Sequence, residues 1–176
     1  MSILSTRGVH HITLNGADRQ TSIDFWEGVL GMPFVFEQPN LDDPDLNHLY
    51  FDPGDGRLIT IFTSEKRTKG DHKSADAPGA VHHLAFDVDA EMLAAAAARL
   101  RDAGYGVAER DRGFMNSLYF REPLGHLIEL ASYKIDPPDG VDMPEVLKEA
   151  YRLRQERGAA AIESEDLLAA AKALSA

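Results

Sequence analysis

The sequence predicts an α+β fold built from two βαβββ modules that form a curved mixed sheet, a cup, followed by C-terminal helices. Two local repeats indicate a duplication. VHHITL at residues 9–14 recurs as VHHLAF at 81–86, and GRLITI at 56–61 recurs as GHLIEL at 125–130. The two separations are nearly equal, as expected for one duplicated unit. Within each copy, a β-prone run precedes a helical run, and three further β-prone runs follow.

The helix of each copy is bounded by recognisable residues. Asp18 and Asp89 can accept hydrogen bonds from first-turn amides, so they predict the two helix starts. Gly31 and Gly104 can adopt the left-handed conformation that ends a helix. Strands are predicted at 9–15, 34–37, 48–51 and 58–63 in the first copy, and at 81–88, 106–109, 117–121 and 126–131 in the second.

The domain organisation follows from these elements. We expect a single domain over residues 8–133, made of module 1 (8–63), a polar linker (64–79) and module 2 (80–133). Residues 134–176 form a C-terminal extension with helices predicted at 144–157 and 164–174. This extension belongs to neither repeat, and packing or oligomerisation is its expected role.

Composition excludes several classes of protein. The 176 residues include 18 Lys and Arg against 29 Asp and Glu, a net charge of −11, which disfavours binding to nucleic acid and to anionic membranes. There is no cysteine, which rules out disulfides, Cys-ligated zinc, iron–sulfur clusters and thiolate catalysis. Neither a signal peptide nor a membrane-length apolar run is recognised, so a cytoplasmic location is expected.

Strand alternation places three chemically distinctive side chains on one face of the sheet. The aliphatic residues of each strand must face the helices, so His11 and His83, the second histidine of each doublet, should point into the concave side. Glu129 on the last strand should point into the same hollow. A buried carboxylate is costly without a cation. Two histidines and one carboxylate form the facial triad of non-haem Fe(II) sites, so a metal centre is predicted.

Aligning the repeats places Thr60 opposite Glu129. A neutral hydroxyl therefore stands where a second carboxylate would complete four symmetric protein ligands. The lower charge and more open coordination favour binding of substrate and dioxygen together, over purely Lewis-acid chemistry.

The paired modules, the HH doublets and GHLIEL resemble the vicinal-oxygen-chelate superfamily, which includes glyoxalase I, extradiol dioxygenases and bleomycin-binding proteins. The sequence is most similar to the ring-cleaving dioxygenases that act on hydroquinones. The resemblance covers about residues 8–133 and implies that His11, His83 and Glu129 bind Fe(II) or Mn(II), with no organic cofactor. The sequence departs from the hydroquinone enzymes because it has two modules rather than four. Catechol-cleaving members usually carry a further histidine where Thr60 and Ile61 stand.

The resemblance implies further site residues around this centre, and the repeat alignment adds Thr60. They are Tyr119, His10 and Arg112 as catalytic residues, and Thr13, His82 and Thr60 as substrate-binding residues. Strict alternation sends His10 and His82 towards the helices, so they either reach the cavity at a strand end or are buried histidines bonded to the backbone. His48 is expected to face solvent.

The resemblance implies an Fe(II)- or Mn(II)-dependent extradiol-type dioxygenase that inserts O2 into a dihydroxylated aromatic, a hydroquinone or a catechol. One alternative is a glyoxalase-type isomerase or epimerase. Another is a non-catalytic protein that binds an aromatic antibiotic. The oligomeric state stays open between a cup closed within one chain and a homodimer.

Overall fold

The computed structural model describes residues 4, 6–70, 73–74 and 76–175. Its first half contains β1 (His11–Asn15), α1 (Arg19–Trp26), β2 (Phe34–Pro39), β3 (Asn47–Phe51) and β4 (Leu58–Thr63). Its second half contains β5 (Leu84–Asp87), α2 (Ala90–Asp102), β6 (Ala108–Asp111), β7 (Met115–Arg121) and β8 (Leu127–Tyr133). Two tail helices follow, α3 (Met143–Arg157) and α4 (Ser164–Leu174). The predicted βαβββ order is confirmed in both halves.

The strands form two sheets of equivalent topology. One four-stranded sheet has the order β1-β4-β3-β2 and the other has the order β5-β8-β7-β6. The first strand of each half pairs in parallel with the last, whereas the β2–β3, β3–β4 and β6–β7 pairs are antiparallel. The predicted α+β class with mixed sheets is therefore confirmed.

The chain divides into two compact units. Unit 1 comprises Met1–His82 with Arg121–Leu127, and unit 2 comprises His83–Phe120 with Ile128–Ala176. The turn between β7 and β8 belongs to unit 1 because it bonds to residues there. The amide of Gly70 donates to the carbonyl of Pro123 at 3.4 Å, and His126 Nε2 lies 3.1 Å from the carbonyl oxygen of Asn15.

In unit 1, α1 begins at the N-cap Asp18, whose carboxylate accepts from the amide of Thr21 at 2.9 Å. Phe25 and Trp26 at the end of this helix are fully buried, as is Phe51 of β3. The helix ends at Trp26, although Gly31 has the expected left-handed φ of +69°. Turns cover the interval, with the amide of Leu30 bonded to the carbonyl of Phe25.

In unit 2, α2 begins at the N-cap Asp89, and its residues Ala97 and Leu100 are buried, as are Phe120 of β7 and Ile128 of β8. The tail helices have a core of their own. Val146 and Ala150 of α3 and Leu167 and Ala170 of α4 are completely buried, with Phe114, Ile135, Val141, Met143, Leu147, Leu153 and Ile162 packed around them. Across the described ranges, no helix is both long and apolar enough to cross a membrane.

Candidate active site

A buried carboxylate and a histidine meet at the centre of unit 2. Glu129 lies on β8 directly opposite Ala85 of β5, two residues after His83, so the histidine and the glutamate share one face of the sheet. The Nε2 atom of His83 is 2.9 Å from Oε2 of Glu129. The glutamate side chain is 2% exposed and that of His83 is 34% exposed. This arrangement leaves the imidazole accessible and the carboxylate enclosed.

The other carboxylate oxygen of Glu129, Oε1, lacks a hydrogen-bond partner among the described residues, and it is buried. An orphaned buried acceptor is costly, and a divalent cation would satisfy both the carboxylate and the imidazole nitrogen. The donor set of one imidazole and one carboxylate suits Fe(II), Mn(II) and Zn(II). The residues present in unit 2 therefore fit a divalent metal.

Tyr119 and Arg112 stand next to this pair. The ring of Tyr119 packs edge-on against the ring of His83, with centroids 5.8 Å apart. Nη2 of Arg112 donates to the Tyr119 phenol oxygen at 3.3 Å, and its guanidinium carbon lies 5.6 Å from the centre of the same ring. The hydrogen bond to Tyr119 is the main reason that the pKa of Arg112 is raised. Unit 2 therefore places a charged donor and a phenol beside the carboxylate–histidine pair.

Unit 1 carries the other predicted site residues. Thr60 is fully buried on β4 and pairs with Thr13 of β1, and its hydroxyl donates to that of Thr13 at 2.7 Å. His11 begins β1, and its Nδ1 atom lies 2.9 Å from Nδ1 of His10. Two ring nitrogens at this distance share one proton, so one of these imidazoles donates and the other accepts.

The strand registers show which positions of the two units correspond. Thr13 pairs with Thr60 across the parallel β1–β4 ladder, and Ala85 pairs with Glu129 across the parallel β5–β8 ladder. Thr60 therefore occupies in unit 1 the position that Glu129 occupies in unit 2. The alignment of Thr60 with Glu129 drawn from the repeat is confirmed.

The leading histidines of the doublets are not core residues. His10 and His82 both lie just outside the strands and are exposed, which excludes the buried alternative. His11 belongs to unit 1, whereas His83 and Glu129 belong to unit 2. No group of three or more metal-ligating His, Asp or Glu side chains is found in the part of the chain that the structure describes. His11 as the third ligand remains a prediction.

Two residues of β3 were missed as candidates. His48 was expected to face solvent, and this is wrong: its ring packs 4.3 Å from that of Tyr50 and 4.5 Å from that of Phe62. The Tyr50 hydroxyl lies 2.9 Å from Nδ1 of His48, and burial lowers the pKa of this imidazole. NHLYF at 47–51 recurs as NSLYF at 116–120, so Tyr50 is the repeat counterpart of Tyr119. That repeat was the signal that could have identified it.

Comparison with known proteins gives the family. The model of the Glyoxalase/Bleomycin resistance protein/Dioxygenase superfamily matches residues 8–130. The Bacillus subtilis protein named "Putative ring-cleaving dioxygenase MhqE" is 28% identical over 154 residues, which cover 82% of this chain and 49% of that protein. The "Metallothiol transferase FosB" of Bacillus licheniformis is 28% identical over 126 residues, which cover 70% of this chain and 73% of that protein.

A solved structure agrees with this result. A protein from Bacillus subtilis described as a "putative dioxygenase" superposes with a TM-score of 0.63 at 30% identity, over 72% of this chain and 41% of that one. The chain thus spans about half the length of MhqE. With the family model matching most of its length, this chain belongs to the glyoxalase/bleomycin resistance protein/dioxygenase superfamily, the vicinal-oxygen-chelate proteins.

Proposed function

We propose that this chain supports metal-dependent ring cleavage, in which O2 is inserted into a dihydroxylated aromatic, a hydroquinone or a catechol. The observation that carries the proposal is the buried Glu129 carboxylate, which contacts His83 through one oxygen, while the other oxygen has no partner among the described residues. The similarity to MhqE over 82% of the chain supports ring cleavage in particular.

His83, Glu129 and His11 would hold the metal, Fe(II) or Mn(II). His11 would come from unit 1 of the same chain or of a second copy in a homodimer. A divalent ion held by these two imidazoles and this carboxylate would supply the activation of substrate and O2. The buried carboxylate supplies the negative charge that makes such binding favourable.

Tyr119 and Arg112 act on the substrate. The phenol of Tyr119 stands next to the His83 ring and can donate a hydrogen bond to a substrate hydroxyl or phenolate oxygen. The Arg112 guanidinium stays charged throughout the physiological pH range and stabilises negative charge that develops on the substrate. His10 and His82, which are exposed near the ligands, are proposed to accept the substrate proton or to contact the ring.

Thr60 and Thr13 set the charge of the site. Thr60 provides a neutral hydroxyl at the position where unit 2 provides the Glu129 carboxylate. That hydroxyl donates a hydrogen bond to the hydroxyl of Thr13. In the proposed site, unit 1 would therefore contribute no second carboxylate, which would leave room for an anionic substrate oxygen. Thr13, which is exposed, is proposed to contact the substrate directly, and the buried Thr60 to take part in substrate binding through its hydrogen bond to Thr13.

Metal-dependent thiol transfer is the second candidate. One observation favours it: the match to FosB covers 73% of that protein, whereas the match to MhqE covers 49% of its length. The Arg112 guanidinium would serve an anionic acceptor of the thiol equally well. The two candidates differ in the co-substrate consumed, dioxygen or a thiol.

The deciding experiment starts with anaerobic purification and metal analysis. Oxygen uptake is then measured on a panel of hydroquinones and catechols with Fe(II) or Mn(II) supplied, in parallel with thiol consumption. Metal-dependent oxygen uptake that Glu129→Gln abolishes and Glu122→Gln retains would support the proposal, since both glutamates are buried. Metal binding with thiol consumption and no oxygen uptake would favour the second candidate. Protein that binds no divalent ion would overturn both.

A further inference from the structure

The C-terminal extension contacts the turn that carries Arg112. This turn joins β6 to β7 and is closed by the amide of Arg112, which donates to the carbonyl of Met115 at 2.9 Å. The hydroxyl of Ser164, the first residue of α4, donates to the carbonyl of Gly113 at 2.8 Å. Residues beyond 130, outside the matched family region, thus bond directly to the turn beside the proposed active site.

Steric contact reinforces the hydrogen bond. Gly113 has a φ of +84°, and a Cβ atom there would lie 2.6 Å from the carbonyl oxygen of Ile162, which is too close for any real side chain. Phe114 packs against the buried core of the two tail helices, and its carbonyl accepts from the amide of Lys134 at 3.2 Å. Two successive residues of the turn, Gly113 and Phe114, are therefore held by the tail or by the segment that leads to it.

The turn at Gly113 is connected through side-chain contacts to the proposed catalytic groups. Arg112 precedes Gly113, and its Nη2 atom reaches the Tyr119 phenol oxygen at 3.3 Å. Tyr119 in turn packs against His83, which contacts Glu129. A displacement of the turn would move the guanidinium and release the phenol, while Glu129 on β8 and His83, which directly precedes β5, stay in place.

We propose that the C-terminal helix pair positions the active site, because it holds the turn at Gly113 and thereby fixes Arg112 against Tyr119. Ser164 and Gly113 are positioning residues in this scheme and touch no substrate. The role given to Tyr119 rests on the proposed function, whereas the coupling between Ser164 and Tyr119 does not.

The test uses the full chain labelled with 3-fluorotyrosine at its five tyrosines, with the Tyr119 fluorine resonance identified through Tyr119→Phe. Ser164→Ala is expected to shift or broaden this resonance and to leave that of Tyr50, in unit 1, unchanged. Ser164→Thr retains a hydroxyl and is expected to restore the original resonance. Ser175→Ala is the matched control, because the hydroxyl of Ser175, the C-cap of α4, donates to the carbonyl of Ala171 in that helix.

The second readout is kinetic. With metal supplied, Ser164→Ala is expected to reduce kcat/KM about tenfold through misplacement of the phenol, with Mn(II) affinity unchanged. Gly113→Ala should have the same effect, more strongly. If Ser164→Ala folds, as circular dichroism will report, and leaves both the Tyr119 resonance and kcat/KM at wild-type values, the inference is overturned. If the wild type consumes no oxygen with any aromatic, the proposed function fails, and the fluorine spectra alone decide the positioning role.

Discussion

The Nε2 atom of His83 lies 2.9 Å from Oε2 of Glu129, while Oε1 of the same carboxylate is buried without a partner among the described residues. The His83 ring contacts only one of the two oxygens. The other oxygen needs a further positive or donating group, and a metal ion bound between imidazole and carboxylate satisfies both side chains at once. The local geometry of this pair is therefore compatible with a bound cation.

Glu129→Gln should therefore weaken Mn(II) binding. The amide keeps the size of the side chain and removes the charge, so we expect a loss of about 100-fold or more in affinity by titration calorimetry. Glu122→Gln is the matched control, because Glu122 is also buried and its Oε1 accepts from the amides of Leu124 and His126. Equal Mn(II) affinity in the two variants would show that Glu129 is not a ligand.

Tyr119→Phe is expected to lower kcat for the aromatic substrate by roughly 100-fold and to leave metal affinity intact, because only the hydrogen-bonding hydroxyl is lost. Initial rates of oxygen uptake at saturating substrate provide the measurement. Tyr151→Phe serves as control, since it removes an exposed phenol that accepts from Gln155 Nε2 on α3. If Tyr119→Phe retains the wild-type kcat, the phenol of Tyr119 has no part in the proposed chemistry.

Glu122 should make stability depend on pH. Burial is the main reason that the pKa of Glu122 is raised above its ordinary value of 4.5. As pH rises, the Glu122 carboxyl therefore ionises at a lower pH in the unfolded chain than in the folded one. The folded state loses stability as pH rises from about 4.5 through the higher folded-state pKa. Glu122→Gln is expected to be more stable than the wild type at pH 7, with the difference shrinking towards pH 4. Urea unfolding at several pH values measures this, and a difference independent of pH would contradict it.

Asp166, in the tail helix α4, should make stability depend on pH in the opposite direction. Its side chain is 4% exposed and binds Arg157 Nη2 at 2.7 Å, and this hydrogen bond is the main reason that the pKa of Asp166 is lowered. The associated stability is present above the unfolded value of 3.8 and is lost as pH falls through the lower folded-state pKa. Asp166→Asn should reduce the free energy of unfolding at pH 7 by about 1–2 kcal/mol.

The control for Asp166 is Glu165→Gln, which removes an exposed carboxylate 3.1 Å from Arg157 Nη1. An exposed ion pair contributes little, so a change below about 0.5 kcal/mol is expected. Losses of equal size in the two variants would show that burial of Asp166 adds nothing to the pair.

The internal repeat allowed the fold to be predicted from the sequence. Register in a sheet follows the alternation of apolar residues, so aligning GRLITI with GHLIEL was enough to place Thr60 at the position of Glu129. The tail helices were also predictable, since Asp142 forms a capping box at the start of α3 and the left-handed Gly158 ends it.

The bond from Ser164 to Gly113 had no sequence signal. It joins residues 51 positions apart, and nothing local in either segment specifies the other. The position of His48 was missed for a similar reason, because its burial depends on Tyr50 and Phe62, on the same and the neighbouring strand. Local patterns determine elements and faces, whereas packing between distant segments determines which polar groups meet.

Thr60→Glu tests whether unit 1 holds the counterpart of the metal-binding position. Thr60 is fully buried, so a carboxylate placed there without a partner should lower the free energy of unfolding of the metal-free protein by roughly 3 kcal/mol or more. Mn(II) or Zn(II) is expected to recover much of this loss, because a second carboxylate would complete the symmetric ligand set. Thr60→Gln has the same length without the charge and should gain no more from metal than the wild type does. Thermal unfolding with and without metal distinguishes the cases: equal stabilisation of the Glu and Gln variants would place Thr60 away from the ion.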